Sequence, residues 1–319
     1  MILLLESLHP EAEALLERCE PLVRAADANV SNVPNEPPSP SATVRAILTR
    51  GRGRITEAMM SSFPDLRAIA RAGAGLDNLD TAAAARRNIP VIYSPGLNGR
   101  TVAEHTLALM LDLVRRITPW ANACTEGRWE DRARYQGAEL AGLTLGILGY
   151  GNIGQRVARL ASVFEMKVVV AERRGRMTEC EYSTLPLDEL LSVADVVTLH
   201  LPLDKETKGI LGAEQIARMK PTACIINTAR GALIDQAALR AALLTDRLGG
   251  FAADVLDAEP PAAGDPLLRS PRVLLTPHVA SLTSATYREM CLFTAENVVA
   301  VLEGRAPAAR SVFRASEEC

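Results

Sequence analysis

Long apolar runs are missing from this 319-residue chain, and so are runs of positive charge. No stretch approaches the roughly 18 consecutive apolar residues that a membrane-spanning helix needs, so no membrane association is expected. The opening MILLL is apolar, but Glu6 follows and no basic segment precedes it, so it reads as a strand rather than a secretory leader. Lys and Arg number 35 against 38 Asp and Glu, a net charge of −3. Nothing in that distribution neutralises a phosphate backbone, and nucleic acid is not an expected partner. The six cysteines (Cys19, Cys124, Cys180, Cys224, Cys291 and Cys319) form no C-x-x-C pair and no cluster with histidine. Neither a disulfide framework nor a metal site is expected, and reduced thiols point to a soluble cytoplasmic protein.

What is present is an ordinary globular mixture, 48% hydrophobic and 23% charged. At roughly 150 residues per domain it suffices for two cores. Segments 1–6, 44–49, 66–71 and 89–93 read as strands, with helices at 9–19, 56–61 and 80–87 between them. The four-proline stretch 32–40 reads as a loop. Residues 100–118 form a long helical pattern, apolar on most of its circumference and so expected to be buried. A polar arm at 119–140 follows. A second series then places strands at 143–148, 167–171, 195–201, 223–227, 249–254 and 273–276, with helices at 153–164, 187–194, 213–219 and 235–245. A final helix at 284–303 is expected to return to the first domain. Strands that alternate with helices must pair in parallel, because parallel neighbours need a crossover. The pattern predicts an α/β chain of two doubly wound parallel-sheet domains. A Rossmann domain at 100–284 is inserted in a smaller, flavodoxin-like substrate domain made of 1–99 and 285–319.

The string Gly149-Tyr150-Gly151-Asn152-Ile153-Gly154 follows one predicted strand and opens a helix. In that setting it is a dinucleotide cradle: a tight turn at Gly149, backbone approach to a pyrophosphate at Gly151, and close helix packing at Gly154. Amides at the helix start, Asn152 and Ile153 among them, face the anion. Glu172 ends the next strand, where an acid holds the adenosine ribose hydroxyls and favours NAD. Arg173 and Arg174 follow immediately, and a guanidinium there suits the extra phosphate of NADP.

Three polar residues stand at or just past predicted strand ends, where open α/β sheets bind ligands: Arg230, Glu259 and His278. Hydride departure from the carbinol carbon of a hydroxy acid requires removal of the hydroxyl proton, a task for histidine near neutrality. A carboxylate on the other ring nitrogen fixes its tautomer, and a planar guanidinium holds a carboxylate or polarises a carbonyl. The chemistry expected of such a set is hydride exchange at C2 of a small 2-hydroxy or 2-oxo acid.

The chain resembles the D-isomer-specific 2-hydroxyacid dehydrogenases over nearly its whole length. The resemblance is carried, in order, by RAGAGLDNLD (71–80), SPGLNGRTVAEHTLALML (94–111), TLGILGYGNIG (144–154), HLPLDKETKGIL (200–211), INTARGALID (226–235), DVLDAEP (254–260) and LLTPHVAS (274–281). It implies Arg230, Glu259 and His278 as the catalytic trio and Asp254 as the holder of the nicotinamide carboxamide. It implies cofactor-side roles for His200, Pro202, Thr207, Thr228 and Ala229, with backbone contacts mattering more than the ring at His200. It also implies that the amides of Ala74 and Gly75 take the substrate carboxylate, and a homodimer. Within the family the chain looks most like the phosphoglycerate dehydrogenases, which makes Arg71, Arg132 and Arg134 candidate phosphate ligands; for the last two, solvated surface is the competing reading. Because it ends after the returning helix, it is expected to be a short form without their C-terminal regulatory domain. Glyoxylate or hydroxypyruvate reduction is the alternative activity. A nicotinamide-sensing co-repressor is the alternative of a different class. Formate-type relatives carry Gln where Glu259 stands, which argues against that reaction. His105, on the apolar helix, is expected to be packed and hydrogen-bonded, and Trp129 to make a subunit contact or cover the substrate side.

Overall fold

A computed structural model describes residues 1–25, 43–171 and 180–314. The proline-rich stretch 32–40 and the Glu172–Arg173–Arg174 run lie outside the described residues. The chain divides into two compact units, Met1–Asn98 with Leu282–Cys319, and Gly99–Ser281.

The first unit is built on a five-stranded parallel sheet of β1 (Ile2–Leu4), β2 (Leu22–Arg24), β3 (Ala46–Thr49), β4 (Ala68–Arg71) and β5 (Val91–Tyr93). Its order is β2-β1-β3-β4-β5, the flavodoxin-like order. Helices α1 (Pro10–Cys19), α2 (Glu57–Ser61) and α3 (Thr81–Arg86) make the crossovers. β3 is buried along its whole length, as a continuous aliphatic run covered on both faces must be. One face packs against α1 and the long C-terminal helix of this unit, through Leu16, Ala295, Val298 and Leu302.

The second unit begins with α4 (Gly99–Arg115) and α5 (Ile117–Thr125) and a 3-10 turn at Trp129–Arg134. It continues as β6 (Thr144–Leu148), α6 (Asn152–Val163), β7 (Lys167–Ala171), β8 (Ser183–Leu185), α7 (Leu187–Val193), β9 (Val196–Leu199), α8 (Ala213–Arg218), β10 (Cys224–Asn227), α9 (Gln236–Leu244), β11 (Gly250–Ala253) and β12 (Val273–Leu275). α10 (Ser284–Leu302) belongs to the first unit. The seven strands order as β12-β11-β10-β9-β6-β7-β8, all parallel. That is the Rossmann order with one further strand beyond the sixth. The core strands β9, β10 and β11 are almost wholly buried, and on one side Phe251 of β11 shares a cluster with Leu190, Ile216 and Leu239 of the covering helices.

Three local expectations needed correction. The sheets have five and seven strands rather than four and six, because β2 and β8 are three-residue edge strands. The single helix expected over 100–118 is two helices, broken at Arg116, which takes a left-handed conformation (φ 55). The arm at 119–140 contains the end of α5 and the 3-10 turn. Among the described residues no helix is long and apolar enough to cross a membrane, and no group of three His, Cys, Asp or Glu residues could hold a metal ion.

Candidate active site

Register decides what gathers at the edge of the seven-stranded sheet. Leu148 pairs with Leu199, Leu199 with Asn227, Asn227 with Ala253, and Ala253 with Leu275. The last residues of five strands therefore stand in one row. The residues that follow them, Gly149, His200, Thr228, Asp254 and Thr276, share the carboxyl edge, the side on which open α/β sheets take ligands.

At the centre of this edge, Gly149 turns the chain with φ 100, and a Cβ there would lie 2.6 Å from the His200 carbonyl oxygen. A Cβ on Gly154 would lie 2.0 Å from the Gly149 carbonyl oxygen, so α6 approaches β6 as only glycine allows. Gly151 caps α6 without a side-chain hydrogen bond, and nothing lies within 4 Å of where its Cβ would be. The first-turn amides of Asn152 and Ile153 donate to no acceptor among the described residues, at the positive end of a 12-residue helix. A dinucleotide pyrophosphate fits this cradle. Beside it, Thr207 donates to the Pro202 carbonyl (2.7 Å) and accepts from the Asp204 amide (2.8 Å), tying residues 202–207 into a fixed turn.

Past β10, the buried Asn227 side chain holds the next turn. Its Oδ1 accepts from the Ala229 amide (3.0 Å), and its Nδ2 donates to the Arg230 carbonyl (2.8 Å). Thr228 Oγ1 meets Thr106 Oγ1 of α4 at 2.9 Å. A Cβ on Gly231 would lie 2.0 Å from the Leu256 carbonyl carbon, so the turn after Arg230 rests directly on the loop that leads to Glu259.

On that loop, Glu259 Oε2 lies 2.8 Å from His278 Nδ1, and Oε1 accepts from the Leu256 amide at 2.8 Å. Burial pushes the Glu259 carboxyl upward, but the His278 hydrogen bond, the Leu256 amide and the Arg230 charge outweigh it and hold it below its ordinary range. The arginine, the carboxylate and the imidazole are thus brought together. The pair is reachable, with side chains 47% (His278) and 36% (Glu259) exposed. With Nδ1 engaged by the carboxylate, Nε2 makes no hydrogen bond among the described residues.

Asp254 is 2% exposed and underlies the histidine loop. Its backbone carbonyl accepts from the His278 amide (2.9 Å); its Oδ1 accepts from the Val279 amide (2.9 Å) and Thr276 Oγ1 (2.5 Å), and its Oδ2 from the Ala280 amide (2.8 Å). One acceptor position on Oδ2 is left for a further donor. His200, by contrast, is turned inward: Nε2 bonds Thr198 Oγ1 (3.0 Å), and burial pushes its pKa down to about 3.

In the first unit, Arg71 braces its own loop, with Nε donating to the Arg50 carbonyl (2.9 Å) and Nη1 to that of Gly75. The amides of Ala74 and Gly75 donate to no acceptor among the described residues. Arg132 and Arg134 are exposed, within 4.0 Å of Glu130 and 3.8 Å of Asp131 respectively. Asn227 and Thr276, which hold the Arg230 and His278 loops, were not singled out from sequence. Their positions at or just past a strand end were the available signal.

A family model described as D-isomer specific 2-hydroxyacid dehydrogenase, NAD binding domain, matches residues 107–280. The chain is 36% identical to a D-3-phosphoglycerate dehydrogenase of Archaeoglobus fulgidus over 81% of its own length and 50% of that protein's. It spans about half the length of the phosphoglycerate dehydrogenases it first matches. It is also 36% identical to a glyoxylate reductase of Aeropyrum pernix, over 92% of both chains. Among solved structures, an NADPH-dependent glyoxylate/hydroxypyruvate reductase from Sinorhizobium meliloti, in complex with NADP and malonate, superposes with a TM-score of 0.86 at 27% identity, covering 98% of each chain.

Proposed function

This chain belongs to the D-isomer-specific 2-hydroxyacid dehydrogenase family, and we propose on that premise that it exchanges a hydride between NAD and C2 of a small D-2-hydroxy or 2-oxo acid. The 2.8 Å His278–Glu259 contact, with the Arg230 charge beside it on a carboxyl sheet edge, is the observation that carries the reading.

The nicotinamide cofactor supplies the hydride in reduction and accepts it in oxidation. Gly149, Gly151 and Gly154, with the amides of Asn152 and Ile153, would seat its pyrophosphate. Thr228, Ala229, Asp254 and the 200–207 turn would hold the rest of the cofactor. In reduction, Arg230 polarises the C2 carbonyl, and His278 delivers the Nε2 proton to the oxygen as the hydroxyl forms. Glu259 stabilises the imidazolium before transfer and keeps the neutral ring as the Nδ1–H tautomer afterwards. In oxidation the same nitrogen takes the hydroxyl proton. The amides of Ala74 and Gly75, which donate to no acceptor among the described residues, are the proposed ligands of the substrate carboxylate.

Glyoxylate and hydroxypyruvate are the preferred substrates. A resemblance over 92% of both chains is to a glyoxylate reductase, and the Arg71 guanidinium is occupied with the Arg50 and Gly75 carbonyls rather than presented to a phosphate. NAD is preferred over NADP on the Glu172 carboxylate. A cytoplasmic homodimer is the proposed form, supported by free thiols and by the exposed Ile117, Trp129 and Tyr135 on α5 and the turn after it. The test is nicotinamide absorbance with glyoxylate, hydroxypyruvate and phosphohydroxypyruvate, each with NADH and NADPH. Turnover of the first two with NADH is expected. Selective use of phosphohydroxypyruvate would redirect the substrate assignment, and cofactor binding without turnover of any acid would favour a sensing role.

A further inference from the structure

We propose that His105 of α4 is a positioning residue for His278, acting through Thr276 and Asp254; the inference rests on the dehydrogenase reading above. His278 sits on a loop with φ 56, a conformation that a non-glycine residue keeps only where its surroundings hold it. The holder is Asp254, whose carboxylate gathers the Val279 and Ala280 amides while its carbonyl takes the His278 amide. The orientation of one buried carboxylate therefore sets the direction in which the imidazole points.

That carboxylate is steadied from α4. Among the described residues Asp254 has no Lys or Arg partner within 4.0 Å, whereas His105 Nε2 lies 3.7 Å from its Oδ1. Between them stands Thr276 Oγ1, 2.5 Å from Asp254 Oδ1 and 2.9 Å from His105 Nε2. A hydroxyl has one proton. Thr276 gives it to the carboxylate, so its oxygen must accept from the ring, and His105 carries its proton on Nε2. The result is a one-way chain of donors, His105 to Thr276 to Asp254, in which each bond polarises the next. The neighbouring residue on α4 contacts the other loop, with the opposite polarity. Thr106 Oγ1 donates to the Val102 carbonyl (2.8 Å), so toward Thr228 Oγ1 it accepts, and Thr228 precedes the Arg230 turn. Adjacent helical side chains diverge by about 100°, which lets one turn of α4 reach both β10 and β12 across β11. His105 and Thr106 thereby index the imidazole loop and the guanidinium turn against one rigid element.

The test uses the full chain in four variants: His105→Leu, His105→Gln, Thr276→Val, and His105→Leu combined with Thr276→Val. In reduction of glyoxylate and hydroxypyruvate, His105→Leu and Thr276→Val should each lower kcat about tenfold with acid KM changed less than about twofold, the signature of disturbed transition-state geometry. The double variant should be no slower than the slower single, because both break one chain. His105→Gln, which keeps a donor at the same reach, should recover kcat to within about threefold of the parent. Additive losses, no rescue by Gln, or a change confined to KM would each overturn the inference. Imidazole nitrogen NMR gives a readout that needs no substrate. His105 should be the Nε2–H tautomer, and both single variants should move the His278 ring resonances; an Nδ1–H tautomer, or His278 signals indifferent to both variants, would overturn it. If no acid is turned over at all, the dehydrogenase reading fails, and the resonances still decide whether His105 positions His278.

Discussion

His200 and His278 follow strands of the same parallel sheet, at the same carboxyl edge, and differ in almost every other respect. His200 is only partly covered as a residue, yet its Nδ1 is cut off from solvent with no partner among the described residues, and burial holds the ring neutral down to about pH 3. His278 faces outward, with a carboxylate 2.8 Å from its Nδ1 and Nε2 left to exchange. Residue type and strand-end position therefore do not by themselves mark the proposed acid–base group. A carboxylate partner, access for substrate and a neighbouring cation separate the two, and His278 has all three.

The comparison breaks most visibly at His278. His278→Asn is the suitable variant, since Asn tolerates the left-handed backbone there, and it should lower kcat by about a thousandfold with cofactor affinity nearly unchanged. Steady-state rates together with fluorescence titration of NADH check this, and lost affinity with normal turnover would reassign the residue. Next in size is Arg230→Lys, which keeps the charge and loses the planar fork. A fall in kcat/KM of about a hundredfold is expected; parent-like kcat/KM would mean that the acid docks elsewhere.

The smallest effect sharpens the His200 side. The unfolded chain binds a proton at His200 below about pH 6.5, whereas the folded chain resists until about pH 3. Stability contributed by this neutral ring is therefore complete above the unfolded value and falls with acid across that window, by about 1 kcal/mol per pH unit. Depressed carboxylates act only lower down: Glu6 is desolvated but held ionised by the amides of Arg52, Arg50 and Gly51 and the Arg50 charge, so its contribution is lost as pH falls through a value below 4.5. Urea unfolding of His200→Gln between pH 6.5 and 4.5 should show a flatter acid slope than the parent. Parallel slopes would place the His200 titration elsewhere.

Much of this was legible in the sequence, for physical reasons that also mark the limits. The buried strands β3, β6, β9 and β10 are mostly apolar because both faces are covered, and such runs stand out. β2 and β8 are three-residue edge strands with partly exposed side chains, too short to establish any periodicity. The break at Arg116 depends on one left-handed residue without a glycine or proline to announce it. At the site, glycine spacing and strand-end chemistry pointed to the cradle and to Arg230, Glu259 and His278. The register that lines five strand ends into one row is a property of pairing, and no single segment encodes it. Asn227 and Thr276 are lone polar residues at the ends of apolar runs, and their importance appears only when their partners, distant in the chain, are in place.

The claim that Glu259 makes His278 the acid is tested most directly by kcat/KM for reduction in the parent and in Glu259→Gln, with the same acid and NADH. The Glu259 carboxyl is held ionised against Nδ1 of the ring, and removing its charge while keeping the amide shape takes away what orients the imidazole. A fall in kcat/KM of about a hundredfold is expected, with cofactor affinity nearly unchanged. Parent-like kcat/KM would contradict the account.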